Sequence, residues 1–238
     1  MHKELTHYTN DINTIVKILN NGFAWMPNQR NLINDFIPFH DFSNQEPQQF
    51  GMISLTELSA QNSTKHRNKF GDYGIVLSSD WCLKHNAHKV IYLDRKGPIF
   101  DAFKILFTNA YSELSSKIRF PEDEGWRRAY LNKDFAGFIG GFNWSLLLQI
   151  YEYMEPIENS YQQEWRIIHP TGIGFDDKSR EKIITEVSPP KGWSKLISVL
   201  KVSNEDIVGF VCPQKDMKTL INKLHPGYQN KVFYTFSS

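Results

Sequence analysis

The sequence predicts a single α+β domain, and three observations predict it. Strand-like alternation is confined to the opening and closing thirds, helical spacing is concentrated between residues 99 and 155, and no Pro/Gly/Ser-rich linker divides the 238 residues. The expected organisation is one domain over 1–238, with 99–155 a mainly helical insertion. Leu5 to Tyr8 reads as the first strand. Thr9 or Asn10 then caps a helix whose Ile12, Ile15, Val16 and Leu19 share a face, and Asn21-Gly22 supplies its left-handed stop. Phe23 to Gln49 lacks sustained periodicity and reads as a long loop. Phe50 to Leu58 alternates as a strand, followed by a polar segment, Ser59 to Lys69, that reads as a short helix or loop. Tyr73 to Leu77 and Lys89 to Leu93 are β-branched runs between turn residues, with Ser79 or Asp80 able to cap the turn that carries Trp81.

In the middle, Phe103, Leu106, Phe107, Ala110 and Leu114 keep helical spacing, as do Trp144, Leu147, Leu148, Tyr151 and Met154. Pro121 to Gly125 and Gly137 to Gly141 break that pattern as loops. Strands return at Gln163 to His169, Ile197 to Ser203, Ile207 to Cys212 and Val232 to Phe236, with one amphipathic helix through Met217, Leu220, Ile221 and Leu224.

Composition narrows the function classes. Lys plus Arg number 27 against 26 acidic residues, so no global field drives non-specific binding to nucleic acid. Cys82 and Cys212 have no C-x-x-C spacing, which argues against a disulfide scaffold or a zinc knuckle and fits a reducing compartment. No apolar run reaches the roughly 18–20 residues of a membrane span, and the opening Met-His-Lys-Glu-Leu-Thr lacks the order of a secretion signal. A cytoplasmic protein without a membrane partner is the expectation. The phosphate-binding glycine motifs and the Gly-x-Ser-x-Gly nucleophile turn are absent, so kinase, dehydrogenase and esterase readings lose their support. His85 and His88 have metal-compatible spacing but no flanking Cys or carboxylate, and no metal site is expected.

The informative pieces are His7-Tyr8-Thr9 near the start, Ile18-Leu-Asn-Asn-Gly22-Phe23, Ile53-Ser54-Leu55-Thr56, Phe70-Gly-Asp-Tyr73-Gly-Ile75 and, far downstream, Glu164-Trp165-Arg166. In that order they resemble the ADP-ribosyltransferase superfamily, in its H-Y-E-like branch, and look most like the abortive phage-infection proteins of the AbiG type, first component. The resemblance implies a split β-sheet core and NAD as substrate. By it, Glu164 is the catalytic carboxylate that binds a ribose hydroxyl and stabilises an oxocarbenium-like transition state. His7 is expected to hydrogen-bond the nicotinamide ribose, Thr9 and the backbone at Tyr8 to address the carboxamide, and Ser54 to orient the acid. Tyr73, or else Phe70, is expected to stack on nicotinamide. Arg166 lies two residues past Glu164, hence on the same strand face, and either anchors a pyrophosphate or pairs with Glu164.

The function implied is an ADP-ribosyltransferase-like protein of bacterial anti-phage defence that transfers ADP-ribose to a protein or nucleic-acid acceptor, or hydrolyses NAD. The rival is a catalytically degenerate antitoxin or sensor that binds a cognate toxin or phage product. A third reading, a nucleic-acid-modifying enzyme, would use the basic run Lys65 to Lys69 as a rim.

Overall fold

The computed structural model describes residues 4–30, 48–117, 146–147, 149–173 and 199–237. It is a mixed α+β structure around an open, mostly antiparallel sheet of eight strands. Their bounds are β1 (Leu5–Thr9), β3 (Met26–Arg30), β4 (Gln48–Thr56), β5 (Tyr73–Leu77), β6 (His88–Lys89), β9 (Glu164–Ile173), β11 (Ile207–Pro213) and β12 (Val232–Phe236). The spatial order is β12-β11-β5-β1-β4-β9-β6, with β3 also paired to β4. Among the described residues of this sheet, only β11 and β12 run parallel to each other. Two small ladders lie outside it. β2 (Phe23–Ala24) pairs with β10 (Val199–Leu200), and β7 (Ile91–Leu93) pairs in parallel with β8 (Met154–Pro156).

Alternation along the strands sorts side chains between two faces. Leu5, Ile53, Leu55, Ile75, Leu77, Ile167 and Phe210 point into the main core. There they meet Ile15 and Ile18 of α1 (Ile12–Asn21), Trp81 of α3 (Ser79–Lys84) and Leu220 of α5 (Met217–Lys223). On the other face, Tyr8, Val76 and Val211 form a smaller cluster with Ala60 and with Phe70 of α2 (Thr64–Phe70).

Helix starts differ from expectation by one or two residues for a local reason. Thr9 remains in β1, paired with Tyr73, so Asp11 caps α1 by accepting from the Asn13 and Thr14 amides at 2.6 and 3.2 Å. Ser78, ahead of the two expected residues, caps α3 by accepting from the Trp81 amide. The segment expected to be a long loop from Phe23 instead begins with β2, whose partner β10 lies far downstream, and β3, which pairs with β4 on the other side of residues 31–47. Residues 31–47 of that segment fall outside the described residues. In the expected helical insertion, α4 (Pro98–Lys117) is present, Met154 belongs to β8 rather than to a helix, and 118–145 fall outside the described residues. Among the described residues, no helix is long and apolar enough to cross a membrane.

Gly71, between α2 and β5, has φ +107°, a backbone region that side chains rarely enter, and an added Cβ would strike the Thr9 carbonyl. The chain needs this turn to seat α2 beside β1. Gly71→Ala is expected to cost more than about 2 kcal/mol, measurable as a lowered urea midpoint with an unchanged m-value.

Candidate functional site

The site begins as an irregularity in sheet pairing. β4 is bonded to β3 as far as Met26–Met52 and to β1 only at Thr6–Thr56, which leaves Ile53, Ser54 and Leu55 without a partner strand on that side among the described residues. A carbonyl stranded there needs another donor. His7 supplies it, with Nδ1 at 2.9 Å from the Ser54 carbonyl oxygen. Because a carbonyl only accepts, this bond places the imidazole proton on Nδ1 and leaves Nε2 as an acceptor. Burial lowers the His7 pKa below the ordinary histidine value, partly offset by this same bond. Its ring packs edge-on against Phe23, with centroids 5.1 Å apart.

On the other side of β4, Ser54 is opposite Arg166 and Thr56 is opposite Glu164. Their side chains therefore share one face, and the Ser54 hydroxyl donates to Glu164 Oε1 at 2.8 Å. Arg166 then closes a fork on the same carboxylate, donating from Nε to Oε1 at 2.9 Å and from Nη2 to Oε2 at 3.0 Å. Its remaining donors reach the Glu152 and Met154 carbonyls and the Glu155 carboxylate, which ties β8 to β9. Arg166 is 1% exposed and Glu164 5%. Burial opposes the guanidinium charge, but Glu164 and then Glu155 outweigh it and hold the pKa above the usual value. Glu164 is fixed at its backbone as well, its amide donating to the Tyr92 hydroxyl at 2.7 Å. Burial pushes that phenol up to about 12.

Ser54 thus joins two groups that are 47 and 110 residues away from it, His7 through its carbonyl and Glu164 through its hydroxyl. The strand alternation sends His7 and Glu164 to opposite faces of the sheet, since Thr6 rather than His7 lies in the Thr56–Glu164 row. The His7–Ser54 bond spans the stretch between β1 and β4 that has no strand pairing among the described residues. Nothing lying on one face alone touches both.

The other expected site residues are placed as follows. Tyr8 lies on the Glu164 face, where its hydroxyl meets Ser63 Oγ at 2.9 Å. Ser63 directs its own proton to the Ala60 carbonyl, so Tyr8 is the donor in that bond. Thr9 ends β1 and is buried beside the gap. Tyr73 pairs with Thr9 and is turned to the core face, where its hydroxyl donates to Asp216 Oδ2 at 2.8 Å; burial and then that carboxylate push it up to about 12. The structure does not bring Tyr73 to Glu164. His85 and His88 pack against Trp81 and Tyr153, and among the described residues no group of three metal-ligating side chains comes together.

Sequence reasoning missed Tyr92 and read His66 only as part of the basic run Lys65 to Lys69, where the structure buries His66 and Arg67. His66 of α2 is 6% exposed, with its ring 5.1 Å from Tyr8 and 4.5 Å from Phe70. A signal for it exists in the sequence: Ser63, His66, Arg67 and Phe70 repeat at i, i+3, i+4 and i+7, which marks one helix face inside a run that looks uniformly polar. Burial, followed by the charges of Lys69 and His7, lowers the His66 pKa to about 4. The unfolded chain, with an ordinary value near 6.5, takes up the proton first as pH falls. Stability attached to His66 is therefore complete above about pH 6.5 and declines towards pH 4, and a urea midpoint series across that window should show a shallower decline in His66→Asn.

Comparisons with known protein families, with characterised proteins and with solved structures found no match for this chain.

Proposed function

We propose that this chain is an ADP-ribosyltransferase-like protein of bacterial anti-phage defence, which takes NAD into the gap between β1 and β4 and transfers ADP-ribose to a macromolecule or to water. The observation that carries this reading is the convergence of His7 and Glu164 on Ser54 at a break in the sheet. Such a break leaves strand backbone without ladder pairing among the described residues, and directional contacts to the carboxamide and ribose of a dinucleotide require such groups. The Nε2 of His7 accepts from a ribose hydroxyl, while backbone near Tyr8 and Thr9, unpaired on its β4 side past Thr6, addresses the carboxamide. Cleavage of the glycosidic bond sends its electron pair to the nicotinamide nitrogen and leaves positive charge on the ribose. Glu164 faces that charge, and Ser54 holds the carboxylate in place. The acceptor nucleophile then adds to the same carbon and gives up its proton.

One observation favours a second reading. Arg166 already occupies both oxygens of Glu164, and a carboxylate held in that fork serves a structural pair as well as a catalytic one. With the fork retained on ligand binding, the chain is a binding module, an antitoxin or sensor of a phage product. Nicotinamide release by the purified protein with NAD, compared with Glu164→Gln, separates the two. Release by wild type alone supports the transferase or hydrolase. NAD binding without release supports the module, and absence of binding removes the dinucleotide from both.

A further inference from the structure

The edges of the eight-stranded sheet are not alike. A strand edge presents unpaired amide and carbonyl groups, and proteins blunt such edges with short strands, charges, proline or bulges. β6 is two residues long and carries Lys89, while β3, paired with β4 alone among the described residues, carries Pro27 and Arg30. β12 has none of these devices. Its residues, Val-Phe-Tyr-Thr-Phe, hold no charge and no proline, pair with β11 without a register shift, and have no partner strand on their outer side among the described residues. The strand is well seated from within. Phe233 packs on Phe210 with ring centroids 5.7 Å apart, the Arg67 guanidinium lies 3.6 Å over the Phe236 ring, and Tyr234 packs against the cluster of Tyr8, Val76 and Val211. Even so, Val232 is 51% exposed and the other four residues are only half-buried.

We propose that β12 pairs antiparallel with β12 of a second copy of this chain, joining two sheets into one across a two-fold axis at Tyr234. The sequence of the strand is what selects a second copy as the occupant. A register centred on Tyr234 sets Val232 against Phe236 of the second copy, Phe233 against Thr235, and Tyr234 against itself. Each of these is an aromatic pair or an aromatic paired with a β-branched residue, the combinations that stabilise neighbouring strands. The nearest charge, Lys231, falls opposite Ser237, so no like charges meet within the ladder or at its ends. The two-fold axis also closes the contact, because each copy uses its one β12 edge. A ladder this short belongs with weak, concentration-dependent associations rather than permanent dimers. The pairing is independent of what binds between β1 and β4.

Sedimentation velocity of the full chain from about 1 to about 200 μM tests this. Wild type should pass from monomer to dimer over that range and form nothing larger. Val232→Lys puts a charge at an exposed position of the ladder, and symmetry repeats the change twice in each dimer. It should weaken association about tenfold or more, whereas Val232→Thr, which keeps the β-branch, should stay within about threefold. Ser237 is exposed and lies just outside the strand, so its variants test the register without touching the fold. Ser237→Lys, facing Lys231 of the second copy, should weaken association about threefold or more at low salt, and Ser237→Glu should strengthen it by a similar factor. Melting temperatures at about 1 μM, where wild type is monomeric, should agree among these proteins, which separates lost pairing from lost folding. Wild type that stays monomeric at about 200 μM, a dimer indifferent to Val232→Lys, or association that continues past the dimer overturns the inference. If the Val232→Lys protein does not fold, the opposite signs expected of Ser237→Lys and Ser237→Glu decide, and equal behaviour of the two overturns it.

Discussion

Arg166→Met should destabilise the protein by about 3–5 kcal/mol, the largest effect of any single substitution at this site. Methionine retains much of the aliphatic volume, so the loss isolates the guanidinium. Without it, Glu164 remains at 5% exposure with the Ser54 hydroxyl as its remaining side-chain donor, and the Glu152 and Met154 carbonyls lose a donor as well. A buried carboxylate stripped of its counter-charge is costly, which is why removal of one partner exceeds the net worth of the intact pair. Urea unfolding measures the difference. Combining Arg166→Met with Glu164→Gln should recover part of the loss, since the second change removes the orphaned charge. A cost below about 1 kcal/mol for the single substitution would mean that solvent reaches Glu164 and that the fork is not what holds β8 against β9.

Glu164→Gln should have the largest effect on activity, a fall of roughly 10²–10³-fold in nicotinamide release. Glutamine preserves the shape and can still accept from Ser54 through its amide oxygen. What it lacks is the full negative charge that the proposed reaction sets against a developing ribose cation. Its stability cost should be smaller than that of the Arg166 change, about 1–3 kcal/mol, because Arg166 keeps the Glu155 carboxylate and two carbonyl acceptors. Activity must therefore be compared at a temperature where both proteins are folded. Equal release by the two proteins would remove Glu164 from the chemistry and leave it as the counter-ion of Arg166.

Local pattern made a good part of this architecture legible. The alternation in Tyr73 to Leu77, Ile207 to Cys212 and Val232 to Phe236 identifies strands because one face of each meets apolar neighbours. The two-residue spacing of Glu164 and Arg166 already places them on one face, which leaves both a pair between them and a separate role for the arginine open, and the structure forms the pair. Other features were hidden for physical reasons. Phe23 to Arg30 looks aperiodic because β2 and β3 are short and owe their pairing to β10 and β4 rather than to local preference. The bond from the Tyr73 hydroxyl to Asp216 was hidden because the two residues are 143 positions apart. The helical period of Ser63, His66, Arg67 and Phe70 was masked by side chains usually found in solvent, since burial of a cation depends on what surrounds it.

The sequence by itself determined the α+β class and most of the described strands and helices, because periodicity acts within a few residues, whereas the roles expected of His7, Ser54, Glu164 and Arg166 came from a family resemblance. Tertiary structure alone decided that β4 changes partners beside Ser54, that His7 and Glu164 meet there from opposite faces, and that Arg166 grips the acid. Strand partnership and the burial of charge are properties of segments brought together from far apart along the chain, and no local pattern encodes them.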